Sequence, residues 1–533
     1  MTPLNTMVTI TQDDVLRVAA SVGFDVPAAE LADYTELLQR AQDALAAVEA
    51  SDDYQPVPNL EATPRTNVHR PTSDDNPFNA WAWRCRVEHT SPTSSLLKGK
   101  TVCLKDNIAL AGVPCLVGTD CLPDVWVPTT DATVATRVLA HGGIIAGKAV
   151  CENLSRGAIS CTAATGPVHN PYAHGHSCGG SSSGTGALVA GGVVDIGIGC
   201  DQGGSIRIPA ALCGLYGFKA TTGLVPYTGI ASHDASVDYV GPMTKTAKDC
   251  ATLLQALAGA DGLDDRQGAG TPFPDKVPLY SELVSAVGVD ACKGLRVGVL
   301  AEGLGNGSPA QDPGVVAAFR AAVDGLAALG AAVVDVSVPM HTRGRSIYTV
   351  MSKMANHMGM LGQATGRRQV QLTDLMALKK DSDIAKMNIV SKEGLLAGAL
   401  GWDRHPLAYN KAVNLMRQLR DAYDACLEEV DIIVMPTTLA PSPVLPPVDA
   451  SPLQHLRASA GLLENASVFN GTGHPAMAMP IGMVPSAADK SVMLPASMQL
   501  VGKFFDEAHM LQVAYAWETT YDWKKLQFEG SSA

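Results

Sequence analysis

Apolar residues recur along this chain in two rhythms: every third or fourth position in some stretches, and short unbroken runs in others. The opening segment has the first rhythm. Val15, Val18 and Ala19 share one face behind Thr11, an N-cap, and Asp14 suits the positive end of that helix. A second helix is expected from about Pro27, suited to a first turn, to Ala50, with Leu31, Tyr34, Leu37, Leu38 and Ala41 as its apolar face. From Ser51 to Pro77 the chain turns polar and proline-rich (SDDYQPVPNLEATPRTNVHRPTSDDNP), a linker pattern. The expected division is therefore an N-terminal helical region with its linker, 1–75, and a main domain, 76–533.

The second rhythm then takes over. Short apolar runs predict strands at Lys100–Ile108, Gly143–Val150, Val193–Ile198, Leu295–Leu300, Ala332–Val338, Asp431–Met435 and Ser497–Val501. Helical patterns fall between and after them, at Asp131–Ala140, Gly186–Gly192, Pro313–Leu329 and 506–518. Alternation of this kind predicts an α/β fold: a large mixed, mostly parallel sheet covered by helices on both faces. Segment 340–410 reads as helical and irregular. Its Met351, Met354, Met358 and Met360 fit core or a pliable pocket wall better than a cofactor contact.

Composition narrows the function classes. The 533 residues are 46% hydrophobic but only 17% charged, with 51 Gly and a net charge of −13. That is a chain with ample core and close backbone packing, not a disordered one. An acidic surface without a basic stripe argues against nucleic acid as a ligand. No apolar run approaches the ~18–20 residues that span a bilayer, and the first residues lack a basic cluster followed by an apolar run. The 12 Cys include no C-x-x-C pair and lie in apolar surroundings, as expected of free thiols in a reducing, cytoplasmic compartment.

The chemistry concentrates between Cys178 and Pro209 (CGGSSSGTGALVAGGVVDIGIGCDQGGSIRIP). Two Gly-Gly-Ser sites, at 179–181 and 203–205, let backbone N–H groups approach a ligand unobstructed. A nest of N–H groups beside a hydroxyl is what acyl transfer needs: the hydroxyl attacks a carbonyl and the N–H groups hold the oxyanion. Gly-Ser loops are also common connectors. A phosphate loop is a poorer reading, because G-x-x-x-x-G-K-[ST] is missing and the glycine spacing is wrong for G-x-G-x-x-G.

The tracts GGSSSGTGAL and GCDQGGSIRIPAALCGLYGFKATTGLVP resemble the core of the amidase signature family, and LKDNIALAGVPC resembles its lysine segment. VDYVGPMTKTAKDCATLLQALAG, VDIIVMPTT, FNGTGHPAMAMP and SMQLVGKFFDEAHMLQVAYAWE follow in the family's order, so the likeness runs from about residue 77 to 520. It is nearest to nitrile-pathway amidases with an added N-terminal helical region. The resemblance implies Ser205 as nucleophile, Ser181 as the bridging serine on a cis peptide, and Lys105 as base. It also implies backbone N–H groups of Gln202, Gly203, Gly204 and Ser205 as oxyanion hole, and Ser182, Asp201 and Arg207 as supporting residues. Gln202 and Asn470 are candidate pocket residues, and the pocket walls are expected from 340–410 and from loops near 120–130 and 440–470. No cofactor and no metal are implied. Ser183 and Thr185 depart from the family's usual GGSSGG pattern.

Chemistry supports the base. Serine is a poor nucleophile until its proton is taken, and lysine takes a proton only when burial holds its amine neutral. Lys105, after VCL, is expected at the end of a buried strand. His174, His176 and Cys178 have ligand-type side chains but poor zinc spacing, and His474 reads as structural. The expected activity is hydrolysis of a small-molecule carboxamide, with carbamates open to the same chemistry. The alternatives are a carbamate hydrolase and the glutaminase-type subunit of a tRNA-dependent amidotransferase. A homodimer is implied by the resemblance alone.

Overall fold

Strand residues of opposite parity feed different cores, which explains why the strands read as continuous apolar runs. In Ile432–Pro436, Ile432 and Val434 join one buried cluster while Ile433 and Met435 join another. Successive side chains point to opposite faces of a sheet, so both faces here are covered. The first cluster takes in residues of helices Thr133–Ala140, Ala247–Leu257, Pro313–Ala328 and Glu507–Thr520. The second takes in residues of His341–Met360 and Ala408–Glu429.

The structure, a computed structural model, describes residues 8–52, 54–122, 124–232, 234–363, 377–378 and 382–528. Its main sheet has 12 strands. Across the sheet they run Arg65–His69, Trp81–Val87, Ile144–Ala149, Thr101–Lys105, Ile196–Asp201, Tyr239–Thr244, Tyr216–Lys219, Ala476–Pro485, Met493–Gly502, Ile432–Pro436, Arg296–Leu300 and Ala332–Val336. The sheet is mixed, as expected, but it is not mostly parallel. Four neighbouring pairs are parallel and seven are antiparallel. The parallel pairs lie among the strands whose pattern was legible. The antiparallel ones involve strands the pattern concealed, except the pair Ile432–Pro436 with Met493–Gly502, both of which it predicted. Ala476–Pro485 carries Pro480 and Gly482, residues that argue against a central strand, and the register shifts between them. That irregularity is how an inner strand tolerates a residue with no N–H to donate.

The chain forms two compact units, Met1–Gln55 and Pro56–Ala533. In the first, Gln12–Ser21 is capped by Thr11, with Asp14 completing a capping box. The second helix is Leu31–Glu49, starting later than Pro27, and none of its residues is buried. The expected boundary near 75 moves to 55. Residues 65–69 pair with Trp81–Val87, and Arg65 forks onto the Asp131 carboxylate and donates Nε to the Ala111 carbonyl at 3.0 Å. A stretch that reads as polar linker is thus an edge strand. All 12 cysteines are free, and only Cys161 and Cys426 are not fully buried. Among the described residues, no helix is long and apolar enough to cross a membrane.

Candidate active site

Three segments converge near the centre of the sheet. Lys105 is the last residue of Thr101–Lys105, which pairs in parallel with Ile196–Asp201. Ser181 precedes helix Ser183–Ala190, and its peptide bond to Gly180 is cis. Ser205 lies in the tight loop between Ile196–Asp201 and helix Arg207–Leu212. Gly204 turns this loop at φ +121°, a conformation that L side chains rarely adopt.

Lys105 is fully buried, with Nζ 2.7 Å from Ser181 Oγ and 3.4 Å from the Cys200 carbonyl oxygen. Burial lowers its pKa from the ordinary lysine value, with only partial opposition from Cys200, Cys151, Asp201 and Glu152. Two other lysines, Lys148 and Lys219, are equally buried. Lys148 Nζ faces Cys115 Sγ at 2.7 Å and the Asp106 carboxylate at 3.4 Å, and Lys219 Nζ donates to the Ala220 carbonyl and lies over the Tyr239 ring. Of the three, Lys105 is the one beside a serine hydroxyl.

Ser181 Oγ also donates to the Ser155 carbonyl at 2.7 Å. No hydrogen bond links Ser181 to Ser205 in this structure. Ser205 lines a cavity of about 180 Å³, with Arg156, Gln202, Gly203 and Tyr348 among its walls. The walls come from residues 155–162, 202–205, 345–356, 390–394 and 455–463. Segments 340–410 and 440–470 contribute as expected. The loop near 120–130 does not, and 155–162 stands in its place.

The expected oxyanion donors separate. Gly204 N–H donates to Asp201 Oδ1 at 2.6 Å, so it is committed and leaves the set. The N–H groups of Gln202, Gly203 and Ser205 have no acceptor among the described residues. The loop is braced by a buried network. Arg207 reaches Asp201 through Nε at 3.0 Å and Nη2 at 3.1 Å, and reaches Gln499 and Asn470 at 2.8 Å each. Burial alone would raise Asp201, but Arg207 and Asn470 outweigh it and bring the carboxyl to about 2. Ser182 Oγ donates to the Cys200 carbonyl and accepts from its N–H, pinning the residue whose carbonyl faces Lys105.

Asn470 does not line the cavity. Its Nδ2 donates to the Asp201 carbonyl and carboxylate, at 2.8 Å each. Gln202 does line it, with Nε2 donating to Tyr227 Oη at 2.7 Å. His474 is buried between Thr472 and Asp424, His176 bonds Ser486, and His174 stacks on His169. Met351, Met354 and Met360 are core residues.

Sequence reasoning missed Glu152. Its N–H donates to the Ser181 carbonyl, and its carboxylate accepts from Thr162 N–H at 2.6 Å and from Ser183 Oγ at 2.7 Å. Burial pushes it up to about 7 despite these bonds. Ser183, a departure from the family pattern, thus has a partner. The signal was a lone acid in an apolar stretch (AVCENL).

The sequence profile of the family described as Amidase matches residues 60–511. An enantioselective amidase of Rhodococcus rhodochrous is 36% identical over 457 residues, covering 83% of this chain and 84% of that protein. A glutamyl-tRNA(Gln) amidotransferase subunit from Acaryochloris marina is 31% identical over 435 residues, covering 81% of this chain and 86% of the other. Among solved structures, the native peptide amidase of Stenotrophomonas maltophilia aligns with a TM-score of 0.63 at 26% identity, over 80% of this chain and 84% of that one. With this match across the lysine and both Gly-Gly-Ser segments, the chain belongs to the amidase family, the amidase-signature hydrolases of amide C–N bonds.

Proposed function

We propose that this chain hydrolyses a carboxamide to a carboxylate and ammonia or an amine, through an acyl-enzyme on Ser205. The observation that carries the reading is the buried Lys105 amine 2.7 Å from Ser181 Oγ, beside a cavity that Ser205 lines. A neutral amine accepts the Ser181 proton as Ser181 takes that of Ser205. This requires the Ser181 hydroxyl to turn from the Ser155 carbonyl to Lys105 as Ser205 closes on it. Ser205 Oγ then bonds the carbonyl carbon, and the N–H groups of Gln202, Gly203 and Ser205 receive the oxyanion. The proton returns through Ser181 to the leaving nitrogen, the C–N bond breaks, and water repeats the sequence on the ester to release the carboxylate.

Carbamates form the same tetrahedral oxyanion and are a second substrate class for this site. The glutaminase-type reading draws on the amidotransferase relatives. Ammonia or amine release by the purified single chain, across small carboxamides, aryl amides, carbamates, peptide amides and glutamine, separates these readings. Ser205→Ala is expected to abolish turnover, and a serine-directed acylating reagent is expected to label Ser205. Labelling of Ser181 in its place would reverse the two serine roles.

A further inference from the structure

The donors left free in the Gly-Gly-Ser loop follow a rule. In a trans peptide the C=O and N–H point in opposite directions, so a partner that fixes the carbonyl also aims the N–H. Among the described residues the one cis peptide bond is Gly180–Ser181, so the loop peptides are trans. The Asp201 carbonyl accepts from Asn470 Nδ2 at 2.8 Å, and the N–H of the same peptide belongs to Gln202. The Gly204 carbonyl accepts from Ile208 N–H at 2.7 Å, and that peptide's N–H belongs to Ser205. The Gln202 carbonyl accepts from Tyr348 Oη, and that peptide's N–H belongs to Gly203. All three N–H groups lack an acceptor among the described residues. The remaining peptide, Gly203–Gly204, has its N–H bound to Asp201.

Tyr348 is distinctive among these three braces. It comes from helix His341–Met360, outside every motif, and it is buried at the cavity wall. A Cβ built on Gly203 would stand 2.5 Å from Tyr348 Oη and 3.0 Å from its Cζ. Ring and loop meet this closely only because residue 203 is glycine. Gln202 is held independently by its side-chain bond to Tyr227, so the Tyr348 hydroxyl is needed to set the orientation of one peptide rather than the place of the loop.

We propose that Tyr348 is a positioning residue for oxyanion stabilisation: by donating its hydroxyl to the Gln202 carbonyl, it aims the Gly203 N–H at the substrate's developing oxyanion. The proposal rests on the acyl-enzyme reading above. It acts through Gly203 and moves no proton, so the rise of activity with pH that is expected as the Lys105 amine loses its proton should stay where it is.

Tyr348→Phe removes only the hydroxyl. Loss of a whole oxyanion donor typically costs about 10²–10³ in kcat, and a misaimed donor is expected to cost about 10–100-fold. KM and the pH midpoint should be unchanged. Affinity for an aldehyde that forms a tetrahedral adduct with Ser205 should fall in step with kcat, while affinity for an unreactive ground-state analogue should not. Gly203→Ala should be less harmful in the Tyr348→Phe background than alone, because the Oη that a Cβ meets at 2.5 Å is gone. A folded Tyr348→Phe enzyme with kcat within twofold of the parent would overturn the proposal. So would a raised KM at unchanged kcat, which would make Tyr348 a substrate contact. Ser205→Ala is the parallel control. If it stays active, the acyl-enzyme reading fails; if it is inert while Tyr348→Phe is normal, the Tyr348 proposal alone fails.

Discussion

Lys105→Met should separate catalysis from folding. The site is closed to solvent, and methionine occupies a similar length without an amine, so the packing around the residue is kept. What is lost is the 2.7 Å bond to Ser181 Oγ and the 3.4 Å bond to the Cys200 carbonyl. Removal of a general base typically costs about 10²–10⁴ in rate, or about 3–5 kcal/mol in the barrier. Stability should move differently. The folded pKa of Lys105 is lowered by burial, so between that value and the ordinary lysine value of 10.5 the unfolded chain binds more protons. Unfolding free energy therefore rises with pH across that window in the parent, and the methionine variant lacks this rise. Relative to the parent, the variant should be most stable near pH 7 and lose that advantage toward pH 10.5. The lost hydrogen bonds offset the gain by about 1 kcal/mol. Denaturant unfolding at pH 7 and pH 9.5 reads the stability, and ammonia release with acylation by an activated ester reads the chemistry. Two results would refute the argument: more than a tenth of parental kcat/KM with the same ascending pH limb, or a stability difference that does not change with pH. The second would mean that the native lysine is charged.

Glu152→Gln should remove a pH dependence of opposite sign: the parent carboxyl ionises at about 4.5 when unfolded and about 7 when folded, so the parent should lose about 3 kcal/mol as pH rises through that interval. Unfolding curves at pH 4.5 and 7.5 test this, and equal slopes for parent and variant would contradict it. Asp201→Asn should cost about 3–5 kcal/mol, because it leaves the fully buried Arg207 guanidinium uncompensated. A loss under 1 kcal/mol in the same assay would mean that the pair is not ionic. Deleting residues 1–55, the separate helical unit, should leave acylation by a small activated ester intact, since every catalytic candidate lies in the other unit. A folded deletion variant that cannot be acylated would count against this.

The legible parts of this protein are the local ones. Two Gly-Gly-Ser sites and one lysine segment mark the candidate site, because each is a short run of particular residues that can be read without knowing what it meets in space. Strands such as Thr101–Lys105 and Ile432–Pro436 were readable because both their faces are buried and their inner positions form an unbroken apolar run. The antiparallel strands were hidden where Pro480 or Gly482 interrupts the run, and the edge strand Arg65–His69 was hidden by its exposed polar residues.

Contacts between distant positions leave no period in the sequence, and they decided the rest. Asn470 reads as a pocket residue by its surroundings, yet it reaches across 269 positions to hold Asp201. Tyr348 binds the Gln202 carbonyl from 146 positions away, and nothing in its own helix marks it. Gly204 belongs to the nest by motif but gives its N–H to Asp201, a choice made by the turn of the loop. By itself the sequence picked out the candidate residues of the site and the segments whose apolar runs are unbroken. Only the tertiary structure decided which N–H groups stay free and which buried lysine stands beside a serine hydroxyl, because both depend on what packs around a group from elsewhere in the chain.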